Sequence, residues 1–143
     1  MKISTKGRYA VRLMLDLAEN DTGAPIRLKD VAKRQEISEK YLEQIISVLN
    51  KAGYVQSVRG PQGGYLLRMP PEEYTVGMIL RLTEGSLTAV DCKDGSGPCH
   101  RENGCAARLL WKKLDDAVSG VVDHITLEDM LKWQNARADD YVI

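Results

Sequence analysis

Phenylalanine is absent from the 143-residue chain, and two tryptophans and six tyrosines are its only aromatic residues. Leucine, isoleucine, valine and methionine must therefore fill most of the core. Long apolar runs are also missing: stretches such as Val11–Ala18 are broken by Arg12 and Asp16, which excludes a membrane-spanning helix. The N-terminus shows no charged, apolar and cleavage regions in succession, so the chain is expected to be cytoplasmic with no membrane partner. Cysteine is scarce, and three is an odd count that does not suit a secreted disulfide framework. Catalytic signatures are lacking too. No G-x-x-x-x-G-K-[ST] phosphate loop, Ser/His/Asp arrangement or paired catalytic carboxylates occur, so no enzyme activity is expected.

A hydrophobic content of 43% and a charged content of 28% fit a folded globular protein. The length suits one compact domain, or a small domain with an extension, that needs no disulfide staples. Net charge is zero, yet the two halves are polarised: residues 1–68 carry an excess of five positive charges and residues 69–143 an excess of five negative ones. Chance clustering is the plain explanation; a module for a polyanion joined to one with another task is the pointed one.

Ser4 or Thr5 can cap a helix to about Asn20, with Ala10, Val11, Met14, Leu15 and Ala18 as its buried face. Leu28–Arg34 reads as a short helix with Val31 and Ala32 inward. After the turn Gln35-Glu36-Ile37, Ser38 caps a second helix that carries Tyr41, Leu42, Ile45, Ile46, Val48 and Leu49 and stops near Gly53. Two helices joined by a tight turn match a helix-turn-helix, although many structural hairpins look alike. Strands over Tyr54–Val58 and Tyr65–Arg68 follow, separated by Arg59-Gly60-Pro61-Gln62-Gly63-Gly64. A helix-turn-helix with such a hairpin is a winged helix, and an Arg at a Gly-rich tip suits minor-groove insertion.

Met69-Pro70-Pro71 ends the hairpin, and Thr75 can cap a helix to about Thr83 that buries Val76, Ile79, Leu80 and Leu82. Gly85 to Gly104 then reads as a loop, long enough to need something that organises it. Cys92, Cys99 and Cys105 all lie in or beside it, among Asp91, Lys93, Asp94 and His100. Soft thiolates gathered on one loop are what an iron–sulfur cluster or zinc requires; free or redox-active thiols are the alternative. A long helix from Cys105 or Ala106 to about His124 follows. Its Ala107, Leu110, Trp111, Leu114, Val118, Val121, Val122 and Ile125 make a broad apolar stripe fit to seal a dimer or to cover its own domain. Thr126 with Asp129 resembles a capping box for a final short helix ending near Trp133.

Three blocks now stand in order: Met1-Lys2-Ile3-Ser4-Thr5-Lys6-Gly7-Arg8-Tyr9-Ala10-Val11, then Ile37-Ser38 with Tyr41-Leu42-Glu43-Gln44, then Ser57-Val58-Arg59-Gly60 with Gly63-Gly64-Tyr65. Together they resemble the Rrf2 family of bacterial transcription regulators over nearly the whole chain. The resemblance implies a mostly α fold with a small β-hairpin wing. Residues 1–70 would form a winged helix-turn-helix DNA-binding domain, and residues 71–143 a cysteine-loop sensor and dimerisation region built on the long helix. The protein would be a homodimer on a double-stranded, pseudo-palindromic operator, read here as a repressor. Recognition helices read base edges from their N-terminal residues, here Ser38, Glu39, Lys40, Tyr41, Glu43 and Gln44. Gln44 suits adenine, Ser38 and Lys40 bases or phosphates, and Glu43 either cytosine or the bracing of basic neighbours. Arg59, with Gly60, Pro61 and Gly63 at the wing tip, fits a narrow minor groove, and Lys6, Arg8 and Lys51 are phosphate candidates.

The cysteine loop is similar to that of the cluster-binding IscR and NsrR branches of the family, which implies an iron–sulfur cluster on Cys92, Cys99 and Cys105, [2Fe-2S] in preference to [4Fe-4S]. The chain departs from both branches at the fourth ligand. Arg108 stands where the IscR branch has His, and Arg8 where the NsrR branch has Asp. His100, Asp91, Glu102 and an exogenous ligand stay open; His124 reads as structural. Thiol oxidation, pairing two of the cysteines, is the alternative sensor. The C-terminal Asp139-Asp140-Tyr141-Val142-Ile143 is similar to that of the CymR branch, which implies cysteine synthase as a partner held by Tyr141, Val142 and Ile143; a frayed end is the competing reading. Two other roles remain beside the sensor-regulator: a regulator of cysteine metabolism acting through that enzyme, and an iron–sulfur carrier.

Overall fold

In the computed structural model, which describes residues 2–91, 93–94, 97–98, 100–101 and 103–140 (backbone alone at 93–94, 97–98 and 139–140), helix α1 runs Thr5–Glu19 and is capped by the Ser4 hydroxyl. It is followed by α2 (Leu28–Gln35) and α3 (Glu39–Lys51). Between these two, Glu36 takes the left-handed conformation, φ +55°, and its N–H closes onto the Ala32 carbonyl. Ser38 then caps α3 by accepting from the Tyr41 N–H. This local chemistry turns the chain sharply, so α2 and α3 both pack across α1.

The core is one cluster. Leu13, Met14 and Leu17 of α1 meet Val31 of α2, Leu42, Ile45 and Leu49 of α3, and Ile79 and Leu127 from farther along the chain, all essentially without solvent exposure. The face expected for α1 is thus shifted: Leu13 and Leu17 are buried, whereas Val11 and Leu15 are only half-buried. The reason is that α1 is packed on several sides at once, against α2, α3, α4 (Val76–Glu84) and α6 (Leu127–Asp140), so a single-stripe pattern understates its burial.

Strands β1 (Val55–Val58) and β2 (Gly64–Leu67) pair antiparallel with Val55 opposite Leu67 and Val58 opposite Gly64. Ile26 extends this hairpin as a third, one-residue strand through two backbone bonds to Tyr65 of 2.9 and 2.8 Å. Gly64 permits that approach, because a Cβ there would strike the Ile26 carbonyl. A 3₁₀ turn over Pro71–Glu73 leads to α4, whose cap is Thr75.

Two expectations for the later chain change. The Gly85–Gly104 stretch is not wholly irregular: β3 (Lys93–Asp94) and β4 (Gly97–Pro98) form a short antiparallel ladder. The final helix does not end near Trp133 but continues to Asp140, since no Gly or Pro follows Trp133 to stop it. Its capping box is present, with Thr126 N–H to Asp129 Oδ2 at 3.0 Å and Asp129 N–H to Thr126 Oγ1 at 3.1 Å. Between them, α5 (Ala106–Val122) contributes no buried residue.

Two polar devices lock the core. The Asp16 carboxylate, 1% exposed, receives both arms of Arg34 at 3.1 and 2.8 Å and the Gln35 amide at 2.9 Å, pinning α1 to the end of α2. That carboxylate also raises the Arg34 guanidinium above its ordinary value, so the guanidinium stays charged. The buried Tyr74 hydroxyl donates to the Tyr54 carbonyl (2.6 Å) and accepts from the Arg68 and Met69 N–H groups (3.0 and 3.1 Å), which holds both ends of the hairpin. Burial pushes the Tyr74 phenol above the usual tyrosine range, against those two N–H groups, which favour the phenolate. Its stabilising contribution is therefore complete below the ordinary tyrosine range and is lost as pH rises through the raised value. Tyr74→Phe is expected to cost about 1–3 kcal/mol at neutral pH by orphaning buried backbone groups. Urea unfolding should show this as a lower midpoint, with a shallower loss of stability at alkaline pH than in the wild type.

Candidate nucleic-acid interface and cysteine loop

The buried row Leu42, Ile45, Ile46 and Leu49 fixes which side of α3 faces out. Glu39, Lys40, Glu43 and Gln44 are all exposed on the other side, beside an exposed Ser38. Ser38 uses one hydroxyl lone pair to cap the helix, which leaves its O–H donor and a second lone pair for another partner. Tyr41 is half-buried and meets the ring of Tyr9 edge-on at 5.7 Å, which sets the first turn of α3 against α1. The structure therefore brings Ser38, Glu39, Lys40, Glu43 and Gln44 together on one open side of α3, whereas Tyr41 packs back on α1. Lys51 is exposed at the far end of α3, about 18 Å from Glu39 along the axis.

Two further cations lie on α1. Arg8 is exposed and donates to Thr5 Oγ1 at 3.1 Å. Arg12, four residues on and so on the same side of the helix, lies 5.3 Å from the Tyr9 ring centroid and donates to Gln35 Oε1 at 3.1 Å. Lys6, two residues before Arg8, leaves α1 on another side and is half-buried. Sequence reading passed over Arg12 as a phosphate candidate; its i, i+4 spacing from Arg8 was the available signal.

At the wing, Arg59, Gly60 and Pro61 are exposed and Gly63 half-buried, with the Gly63 N–H closing onto the Gly60 carbonyl at 2.9 Å. Arg27, at the N-terminus of α2, reaches across to the Pro61 carbonyl with Nη2 at 3.0 Å. That bond ties the hairpin tip to the start of α2. Nothing in the local sequence around Arg27 signals it, because the partner lies 34 residues away.

Of the three cysteines, Cys105 is described: it is half-buried and occupies the N-cap of α5. It opens onto a solvent-accessible cleft of about 620 Å³ shared with Val90, Arg108, Leu109, Trp111 and Asp115. Cys92 and Cys99 lie outside the described residues, as do Glu102, Tyr141, Val142 and Ile143. No three metal-binding side chains gather among the described residues. Asp91 and His100 are exposed. His124 Nδ1–H donates to the Gly120 carbonyl, 3.1 Å away, a local helix contact that fits a structural role.

Beyond Cys105, α5 leaves Leu109, Leu110, Leu114 and Val121 between 43% and 64% exposed. It is tied to the rest of the chain by polar contacts. Arg81 of α4 grips both oxygens of Asp123 and bonds Ser119 at 3.3 Å, and Asp115 accepts from the Ala89 N–H at 2.8 Å. Arg81 holds the Asp123 carboxyl below the usual carboxylate range, and Asp123 in turn raises Arg81.

A one-side-buried second helix after a left-handed turn, with a hairpin carrying an exposed Arg beside it, is a winged helix-turn-helix of the DNA-binding kind. The Rrf2 model, described as an iron-dependent transcriptional regulator, matches residues 3–133, and the chain belongs to that family of transcriptional regulators. It is 40% identical over 142 residues to the HTH-type transcriptional regulator CymR of Bacillus subtilis (strain 168), spanning 99% of this chain and 98% of that relative. It is 42% identical over 134 residues to the HTH-type transcriptional regulator IscR of Escherichia coli, spanning 94% and 82%. Its fold superposes with a TM-score of 0.77 on the solved structure of CymR, the global cysteine regulator of B. subtilis, at 41% identity over 93% of this chain and 98% of that one. No helix among the described residues is long and apolar enough to cross a membrane.

Gln44→Ala is expected to relax sequence preference by about 1–3 kcal/mol of discrimination, whereas Arg59→Ala should weaken binding to the preferred duplex. Titration of each variant against preferred and scrambled duplexes separates the two. Equal losses on both duplexes for Gln44→Ala would contradict base reading.

Proposed function

We propose that this Rrf2-family regulator binds a two-fold operator as a homodimer, represses from it, and senses iron–sulfur or redox status through Cys92, Cys99 and Cys105. Residues 1–70 do the reading and residues 71–143 the sensing and pairing. One observation carries the proposal: the helix with the widest exposed apolar stripe begins at a cysteine. A stripe of Leu110, Leu114 and Val121 open to water is costly for one chain and is covered when a second copy lays the same helix against it. Pairing through α5 then sets the distance between two copies of α3, which must match half-sites about 34 Å apart.

The donor set fits a cluster at Cys105. Its sulfur stands at the positive end of a helix, where an anionic, thiolate-ligated group is favoured, and the adjoining cleft gives room and solvent access. Lys93 pairs with Pro98 across the short ladder, so the chain just after one cysteine meets the chain just before another. The cluster of this reading is [2Fe-2S] in preference to [4Fe-4S], with three thiolates and a fourth ligand from outside the set. Bound there, it would supply a charge state that changes with oxidation or loss. The protein's own part is to pass on the change. Asp115 holds the segment that leads into the cysteines, Arg81 holds Asp123, and both contacts join α5 to the core that carries α3. Operator affinity then changes only insofar as one dimer geometry is stabilised over another.

The alternatives are not favoured. An iron–sulfur carrier leaves the exposed face of α3 and the braced wing without a task. A regulator acting mainly through cysteine synthase rests on the terminal Tyr141-Val142-Ile143 alone.

Anaerobically purified protein is expected to be coloured, with iron and acid-labile sulfide that vanish in Cys105→Ser; colourless wild type that resists reconstitution would end the cluster reading. Sedimentation tests the pairing. Leu110→Asp with Leu114→Asp should yield a folded monomer with markedly weaker operator binding, and an unchanged dimer would place the interface elsewhere.

A further inference from the structure

The N-terminal turn of α1 is held by a residue that neither the winged helix nor the cysteine loop accounts for. Glu84, the last residue of α4, sends its carboxylate to that turn: Oε1 accepts from the Ser4 N–H at 3.0 Å and from the Ser4 hydroxyl at 2.5 Å. The hydroxyl that donates to Glu84 also accepts from the Gly7 N–H at 3.2 Å, so Glu84 aims the very group that caps α1. A carboxylate against the open N–H groups of a helix start is also favoured by the helix dipole. The fit is close. A Cβ on Gly7 would collide with Glu84 Oε1, so the glycine is what lets the carboxylate reach the turn.

Two features make this more than a surface contact. The turn it fixes carries Lys6 and Arg8 and leads directly into Tyr9, whose ring meets Tyr41 at the start of α3. The residue after Glu84 is Gly85, φ +80°, which opens the segment running through buried Leu87 to Ala89, where Asp115 of α5 takes hold. Glu84 therefore stands where the segment leading to the cysteines departs and beside the turn that carries Lys6 and Arg8.

We infer that Glu84 is a positioning residue for DNA binding: its bonds to Ser4 set the N-terminal turn of α1, with Lys6 and Arg8, against the duplex and tie that turn to the root of the cysteine-bearing segment. This rests on the reading of Lys6 and Arg8 as phosphate contacts. The link needs first an acceptor oxygen within reach of Ser4, which Gln keeps and Ala does not.

The test uses the full chain and a duplex enriched by the wild-type protein from a random-sequence pool. Affinity is measured over a salt series, and amide exchange is followed over the N-terminal peptide. Glu84→Ala is expected to bind about tenfold more weakly, as for loss of one charge-assisted link, and to exchange faster over residues 4–8. Glu84→Gln should stay within about twofold of wild type in both. Lys6→Ala with Arg8→Ala should weaken binding and flatten the salt dependence. If that double variant is weakened but Glu84→Ala binds as wild type, or loses affinity with no faster exchange, the Glu84 inference is overturned and the phosphate reading stands. Equal losses for Glu84→Gln and Glu84→Ala overturn it as well. An unchanged salt slope in the double variant removes the phosphate reading and, with it, the inference. Should Glu84→Ala fail to fold, Glu84→Asp, one methylene too short to reach Ser4, reads the same contrast.

Discussion

Burial of α1 between two sets of partners is the constraint from which the rest of this structure follows. Leu13, Met14 and Leu17 face α2 and α3 on one side, and α4 and α6 on others, with essentially no water contact. Each such side chain contributes about 1.5–3 kcal/mol on burial, so α1 cannot shift relative to one set without disturbing the other. The helix-turn-helix and the elements beyond residue 70 consequently share one core: Tyr74, Ile79 and Leu127 belong to the same cluster as Leu42 and Leu49. A displacement imposed at α4 is transmitted to α3 through packed side chains, because a close-packed interior moves as a body.

The outward face of α3 is a by-product of the same packing. Once Leu42, Ile45, Ile46 and Leu49 are committed inward, helical geometry forces Glu39, Lys40, Glu43 and Gln44 to the other side. Placement then depends on long-range polar contacts more than on helix propensity. The clamp of Arg34 and Gln35 on Asp16 fixes α2, the Tyr9–Tyr41 contact fixes the start of α3, and Arg27 at the Pro61 carbonyl fixes the wing. Each contact is modest alone, yet together they fix α2, α3 and the hairpin relative to α1 and to one another. Under the proposed reading of DNA, the charge imbalance between the halves would supply attraction to a polyanion and these contacts its register.

Much of this was legible in the amino-acid order. The helix starts at Ser4, Ser38, Thr75 and Thr126 were readable because each cap satisfies N–H groups within three residues, a purely local interaction. The buried row of α3 was readable for the same reason. What escaped was non-local. Asp16 looked like a polar break in an apolar run, and only its partners 18 and 19 residues on show it as a buried clamp. Leu13 and Leu17 were left off the buried face of α1, since a periodic pattern assumes one partner surface and this helix has several. Arg27 and Glu84 act across 34 and 80 residues, where no spacing rule reaches. The short β3–β4 ladder was hidden by a composition that reads as loop, and α6 ran past Trp133 because no breaker stood there to end it.

The exposed stripe of α5 bears on how sensing and reading can be joined. A helix with no buried residue in one chain has its position settled by what lies against it and by the few polar ties that hold it, here Arg81 to Asp123 and Asp115 to Ala89. The Arg81–Asp123 ion pair is solvent-exposed and screened, so α5 is held to its own core less firmly than α1 is. Under the proposed pairing, a second copy packed on the stripe would add the larger, hydrophobic term, and a group bound at the α5 N-cap would act on the less firmly held partner. A tenfold change in operator affinity requires only about 1.4 kcal/mol of difference between two dimer geometries. The signal therefore needs no rearrangement of the core, only a helix whose resting place is decided at its interface.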